Sequence, residues 1–447
     1  MKFISIQEAI NKGKGKVAVR GWIYRERGSN KLRFLVLRDS TNLIQCVLKK
    51  EDFAPNQVGL KEGVPSKEEK EGKKKWDEID KLQVEASVEI EGTIKADKRA
   101  PTGYEISVDK LNIVGLSKEF PIQKDLNEEL LGDRRHLWLR SRKMISSLKI
   151  RSTVLFAFHE LMRKKGFTEI EAPSLSGATS EGGSETFELK YFGKKAYLTQ
   201  SWQFYAENFI NAVEKAYAIA PSFRAEKSKT PWHVTEFWHF ELEGAWMNLK
   251  DDMDIAEECI IYAIDKVLKE NKVELETLGA DIPMLKQVKA GFKRITYEEA
   301  IKKLKEKGHK IKHGDEFGAH EERGLAKYYG DKFVFVTNYP LTLLKFYHGE
   351  DLKKPGTGTN FNLLAPSIGE LVDGSQREPS LEKIQERLKK AKMDLGASDW
   401  YLDSRRYGSV PHAGFGLGVE RFVAWICGFD TIKDAIPFPR TPNRLNP

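Results

Sequence analysis

The sequence predicts an α+β protein in two parts: a small N-terminal β-barrel, then a larger domain in which helices flank an antiparallel sheet. Three observations carry this. Five short stretches between residues 16 and 116 alternate apolar and polar side chains, the period-two signature of strands. From residue 143 onward, helical spacing and strand-like runs mix without the regular strand–helix–strand succession of a parallel sheet. A strongly apolar run at residues 236–246 also carries a row of charged groups on one of its faces.

The first three barrel segments are KVAVRGWIYRERG, KLRFLVLRDS and NLIQCVLKK, separated by turn residues at Gly28-Ser29-Asn30 and Asp39-Ser40-Thr41-Asn42. A Lys/Glu-rich insertion at 49–75 has few large apolar residues and reads as a solvated helix or loop. VEASVEIEGTIKA and YEISVDKLNIVG complete the set. Five strands with an insertion after the third predict an OB-type barrel over residues 1–116. Residues 117–142 read as a hinge and 143–447 as the second domain. There Val154, Leu155, Phe158, Leu161 and Met162 fall at helical spacing, with Gly166 where that helix would end. DMDIAEECIIYAIDKVLKE is helical, FVFVTNY and FNLLAPSIGELV look like strands, and LEKIQERLKKAK is an amphipathic helix capped by Ser380.

The chain has 447 residues, enough for two or three domains with real cores. Its formal charge of +8 suits a polyanionic partner, although solubility alone explains it as well. Cys46, Cys259 and Cys427 are odd in number and far apart, which excludes a disulfide framework and suggests a reducing, cytoplasmic setting. No apolar run reaches the ~20 residues that span a bilayer, no signal peptide is evident, and no repeat appears.

FRAEKSKTPWHVTEFWHFELEGAW, residues 223–246, reads as two antiparallel strands around a basic loop. Arg224 and Glu226 share a face. Phe237, His239, Glu241 and Glu243 share another, opposite Trp238, Phe240, Leu242 and Trp246, which can pack as core. Charges on an apolar strand either line a site or pair internally, because burying them alone is costly. Gly414-Phe415-Gly416-Leu417-Gly418 precedes a helix with Glu420 and Arg421 in its first turn, a place that favours an anion; close packing and a Glu420–Arg421 pair are the alternative. Glu370, near the end of an apolar run, suits a hard cation such as Mg²⁺ or simply caps a turn. In the barrel, Phe34 shares a face with Val36 and Arg38, and Gln45 lies on the next strand. An aromatic there can stack an unpaired base and a Gln can read its edge, unless Phe34 is core. There is no P-loop and no zinc-like histidine spacing.

Taken together these segments resemble the class II aminoacyl-tRNA synthetases of the aspartyl/asparaginyl subgroup, over nearly the whole chain. GFTEIEAPSL (166–175, with Pro173) is similar to the family's first motif, which forms a homodimer interface. FRAE with HVTEF (223–226 and 233–237) is similar to the second, and GFGLGVERFVAW (414–425) to the third. The resemblance implies an enzyme that activates an amino acid with ATP and Mg²⁺ and transfers it to tRNA. It implies that Arg224 and Arg421 are catalytic, with Arg224 contacting the amino-acid carboxylate and the α-phosphate. Glu226 and Phe237 would hold adenine. His233 and Arg421 would hold the outer phosphates, with Gly418 and Glu420 in the same ATP site, and Glu370 would bind Mg²⁺. Glu181, Gln203 and Arg377 would enclose the amino acid, and Phe34 and Gln45, with Arg25 close by, would read the anticodon.

Aspartate and asparagine differ by charge more than by shape, so electrostatics must separate them. The aspartyl branch carries a Lys where this chain has Ala206, and Glu207 follows. Glu207 would accept from an amide and repel a carboxylate, with Arg406 donating to the amide oxygen. The resemblance, including the ending PFPRTPNRLNP, is therefore to the asparaginyl branch of archaeal type, and the expected substrate is asparagine. An aspartyl enzyme charging both tRNAs is the alternative. Two positions depart from the family pattern. Asn362 stands where an Asp commonly assists the metal, with Asp373 as a substitute, and Trp232 stands where an Arg is common.

Overall fold

The structure, a computed structural model, describes residues 1–54, 67–122, 127–177, 186–228, 230–392 and 396–447. The chain divides into two compact units, Met1–Leu131 and Gly132–Pro447.

The first unit is a closed five-stranded barrel. Its strands are β1 (Gly15–Ser29), β2 (Leu32–Arg38), β3 (Leu43–Lys49), β4 (Ser87–Ala96) and β5 (Tyr104–Gly115), in the order β1-β2-β3-β5-β4. Alternation drives it: Leu35 and Leu37 on β2, and Ile44, Cys46 and Leu48 on β3, point inward, while Phe34, Val36 and Val47 stay partly exposed. A helix at Ile6–Lys12 precedes the barrel, started by a Ser5–Glu8 capping box, and buries Ile6 and Ala9. Apart from Phe53, the insertion is largely exposed helix over its described residues, as expected. It carries helices Lys50–Phe53 and Lys67–Asp80, and Phe53, Trp76 and Ile79 from them join the barrel core. Its residues 55–66 lie outside the described residues.

The expected hinge is only partly a linker. It contains short helices Glu128–Asp133 and Arg135–Trp138. Arg135 is 2% exposed, donates to the carbonyls of Lys433, Ile436 and Pro437, and lies 3.5 Å from Asp434. A buried guanidinium with that many acceptors fastens this segment to the second unit's C-terminal region.

The second unit is built on an eight-stranded sheet. Its strands are β6 (Thr168–Glu169), β10 (Lys215–Phe223), β11 (Glu236–Ala245), β12 (Lys293–Thr296), β13 (Val334–Thr337), β14 (Asn360–Ala365), β15 (Gly369–Gln376) and β16 (His412–Gly418). A three-stranded sheet of β7 (Leu175–Ser176), β8 (Glu188–Tyr191) and β9 (Lys194–Leu198) lies between β6 and β10 in sequence. The large sheet runs β12-β13-β14-β15-β16-β11-β10-β6. Its centre is antiparallel as expected, and the two edge pairs, β12–β13 and β6–β10, are parallel. Helices Arg142–Lys164, Leu249–Glu270 and Val419–Cys427 cover one face, with Phe158 stacked on Phe240 at 4.4 Å between ring centroids. The opposite face of β11 is therefore left for the polar row.

Candidate active site

The polar row on β11 forms the floor of a cavity of about 390 Å³. β11 pairs with β10 on one side and β16 on the other, so its register is fixed from both edges. Phe240 turns into the core, while Phe237, His239, Glu241 and Glu243 face the cavity. The hairpin differs from its sequence reading at both ends. β10 stops at Phe223, so Arg224 and Glu226 belong to the connecting loop, although Arg224 N still donates to Thr235 O at 3.0 Å. Trp246 follows β11 with φ of 63° and is 66% exposed, so it is not a core residue.

One group of lining residues gathers cations and an aromatic ring. The Arg224 guanidinium lies 5.4 Å from the Phe237 ring centroid and 3.9 Å from Glu226 Oε1, and His233 Nε2 is 3.6 Å from Glu226 Oε2. His239 donates to or accepts from Ser222 Oγ at 3.0 Å. Burial, reinforced by Arg224 and Arg421, pushes its pKa down to about 3, so it is neutral. Arg421, at the start of helix Val419–Cys427 behind N-cap Gly418, donates to the Glu370 carbonyl at 2.8 Å and leaves its other donors to the cavity it lines. It does not pair with Glu420. That carboxylate is buried, 2.8 Å from Arg151, and accepts from Trp238 N at 3.0 Å. Glu420 therefore braces the helix start against β11 while also lining the cavity. Trp232 lines the wall and packs on the core, and so supplies no charge.

A pair of acids sits beside Arg421. Glu370 accepts from Asn362 Nδ2, and its backbone N–H donates to Glu322 Oε2 at 3.0 Å. Burial and the neighbouring Glu370 charge push the Glu322 pKa up to about 7. Glu322, Glu370 and Asp373 all line the cavity, and carboxylate oxygens are the donor type a hard divalent cation takes. Asn362 orients Glu370 instead of supplying a second charge. Glu322 was missed in the sequence because AHEERGLAKY looks like any charged surface helix.

The second group surrounds Arg377, which is buried. It donates to Glu243 through Nε and Nη2 at 3.2 and 3.0 Å, to Gly414 O at 2.9 Å and to Ser375 Oγ at 2.8 Å. Glu241 accepts from Ser201 Oγ at 2.5 Å and Trp202 N at 2.9 Å. Gln203 and Ala206 complete the lining on this side.

Glu207 is not among the lining residues. It is fully buried behind Gln203, accepting from Gln203 Nε2 at 2.7 Å through Oε1. Its Oε2 accepts from Tyr401 at 2.9 Å and from Arg405, with His412 Nε2 at 3.0 Å. Burial opposes its charge, but Arg405, His412 and Arg377 outweigh that and hold its pKa below the usual carboxylate range. Its expected contact with an amide is thus corrected: Glu207 positions Gln203. Arg406 is corrected too. It is on the surface, bonded to Asp399 and Asp403 at 2.9 and 2.8 Å, and the buried cation is its neighbour Arg405. Glu181 lies outside the described residues.

On the barrel, Phe34 is half-buried on the outer face. Gln45 donates to Glu105 at 3.0 Å, and its oxygen accepts from Arg27 at 3.3 Å. Arg27 also lies 5.2 Å from the Phe34 ring centroid. Arg25 packs instead on Tyr24, at 5.5 Å. The cation beside Phe34 and Gln45 is therefore Arg27, because a bulge between Ile23 and Arg25 shifts the register of β1.

Residues 127–442 match the family of class II tRNA synthetases (D, K and N), and residues 17–114 match the OB-fold nucleic acid binding domain family. The chain belongs to the class II tRNA synthetases of that group. Its relatives narrow the branch. It is 44% identical to the asparagine–tRNA ligase of Thermoplasma acidophilum and 45% identical to that of Thermococcus gammatolerans, each over 97% of this chain and 96% of the relative. Among solved structures it is similar to the asparaginyl-tRNA synthetase from Pyrococcus horikoshii complexed with asparaginyl-adenylate, with a TM-score of 0.92, 41% identity and all of both chains covered. The aspartyl-tRNA synthetase from Entamoeba histolytica is further away, at 25% identity and a TM-score of 0.82, covering 100% of this chain and 93% of that one.

Proposed function

We propose that this chain is an aminoacyl-tRNA ligase that attaches asparagine to tRNA through an asparaginyl-adenylate, using ATP. The observation that carries the choice of amino acid is the Arg377 group. A side chain entering beside Glu241 and Glu243 meets two carboxylates, and Arg377 is already bonded to Glu243. A second carboxylate, as in aspartate, meets an Arg377 whose charge is already matched by Glu243. A neutral amide can donate to a carboxylate and accept the remaining Nη1 hydrogen of Arg377. Ala206 supplies no charge to reverse that balance. The aspartyl alternative loses its main support on the same ground.

Adenylate formation joins the amino-acid carboxylate to the α-phosphate and releases pyrophosphate. Two anions must meet, so the task is alignment and charge neutralisation more than covalent help from the protein. In this reading Arg224 bridges the carboxylate and the α-phosphate while stacking beside Phe237, on which adenine rests with Glu226 at its amino edge. Arg421 and His233 hold the outer phosphates. Neutral His239 keeps the floor polar without adding a third charge between the two arginines. Glu370 and Glu322 would hold Mg²⁺, which when bound neutralises the outer phosphates. The barrel takes the anticodon, with Phe34 stacking a base and Gln45, oriented by Glu105 and Arg27, reading its edge. We further read the protein as a cytoplasmic homodimer. Exposed Phe156 and Leu175 in the second unit offer apolar surface for a second copy, and three buried free cysteines suit a reducing compartment.

The test is aminoacylation of tRNA transcripts with labelled amino acids. Charging of an asparagine tRNA with asparagine supports the reading, and charging of it with aspartate alone overturns it.

A further inference from the structure

Away from the cavity, His309, His320 and Glu321 converge. We propose that they form a binding site for a divalent first-row transition metal of the zinc class. His309 Nδ1 lies 3.2 Å from Glu321 Oε1, and His320 Nδ1 lies 3.5 Å from the same oxygen. The three donor atoms lie within 4.8 Å of one another. At zinc bond lengths of about 2.0–2.1 Å, tetrahedral ligands sit about 3.3 Å apart. The two measured separations therefore bracket those around a single ion.

The chemistry agrees with the geometry. Two imidazoles and one carboxylate suit zinc and its neighbours, whereas magnesium and calcium prefer oxygen alone. His309 has a supporting shell: its other nitrogen, Nε2, is 2.8 Å from the Tyr328 hydroxyl, which leaves Nδ1 for the ion. The backbone fixes that placement. Gly308, with φ of 87°, ends the helix Tyr297–Glu306, and His309 N donates to Leu304 O at 3.0 Å. His320 and Glu321 open the helix Ala319–Tyr328. The His320 side chain is 81% exposed, so an ion can enter from solvent and keep a fourth position for water. The next residue, Glu322, accepts the Glu370 N–H in the cavity, so an ion on Glu321 would stiffen the turn that carries that acid.

The full-length protein, titrated with cobalt(II) chloride, tests this. Visible bands typical of tetrahedral cobalt should rise to one equivalent and disappear on adding zinc. His320→Ala, an exposed and foldable change, should abolish them, and Glu370→Gln should leave them intact. Absent bands, or bands that survive in His320→Ala, would show a His–Glu–His cluster held by hydrogen bonds only. Bands lost in Glu370→Gln instead would assign the ion to the cavity acids. Any of these results overturns the proposal.

Discussion

Glu207 illustrates how much of this site depends on a residue that never reaches it. Its carboxylate neutralises Arg405 with both side chains fully buried, and removing one partner of such a pair leaves the other charged and unpaired. Glu207→Ala should therefore lower stability by about 3–5 kcal/mol in denaturant unfolding. Glu207→Gln, which keeps the shape, should lose less of the fold while freeing Gln203 and raising the KM for asparagine. Arg421 is the contrasting case, a cation that faces the cavity. Arg421→Ala should reduce adenylate formation on the order of 10²–10³-fold, the usual cost of losing a transition-state donor, with tRNA binding unchanged in a filter assay. His239 sets a pH dependence. Its folded pKa, about 3, lies below its ordinary value of 6.5, so the unfolded chain binds the extra proton between those limits. Stability should be full above about pH 6.5 and fall as the pH drops toward 3, and His239→Asn should flatten that slope in thermal melts across the range. At this scale the sequence pointed correctly to Arg224, Glu370, Arg377 and Arg421 as neighbours of one cavity, because each is placed locally: Glu370 lies on β15, Arg224 and Arg377 directly follow the last residues of β10 and β15, and Arg421 stands in the first turn of a helix. It misjudged Arg406 against Arg405, since which of two adjacent arginines is buried depends on a short helical turn at Asp403–Arg406 that has no local signal.

Strands position these residues, and the glycines of β16 decide how closely. A Cβ at Gly414 would meet Leu242 O at 2.2 Å and Glu243 Oε2 at 2.3 Å, both held in place by β11. Gly414→Ala should push β16 from β11, displace Glu243 from Arg377 and abolish asparagine-dependent activity in a partly destabilised protein. At Gly416 the nearest atom is 3.6 Å away, so Gly416→Ala should fold normally, as circular dichroism would record. The strands themselves were legible, since alternation is a property of the segment: all five barrel strands and β11 fall where period two places them. The ends were not. Arg224 leaves the strand, and Trp246 turns outward with a positive φ, because a loop's return path is set by what it packs on. Glu322 was illegible for a related reason: nothing in its own helix reveals that β15 lies against it.

For the whole molecule, two compact units imply two separable tasks. If the barrel serves recognition only, Phe34→Ala should cost about 1–3 kcal/mol of stacking, lowering the kcat/KM for tRNA charging and leaving pyrophosphate exchange without tRNA untouched. The two-unit plan was visible in the change from alternating to mixed patterning, and the hinge between them proved half anchored, through Arg135. The cavity's central property is its choice of amino acid, and amino-acid-dependent exchange of labelled pyrophosphate into ATP measures that choice without tRNA. Exchange is expected with asparagine, and little or none with aspartate at equal concentration. Exchange driven by aspartate as well as by asparagine would contradict that expectation.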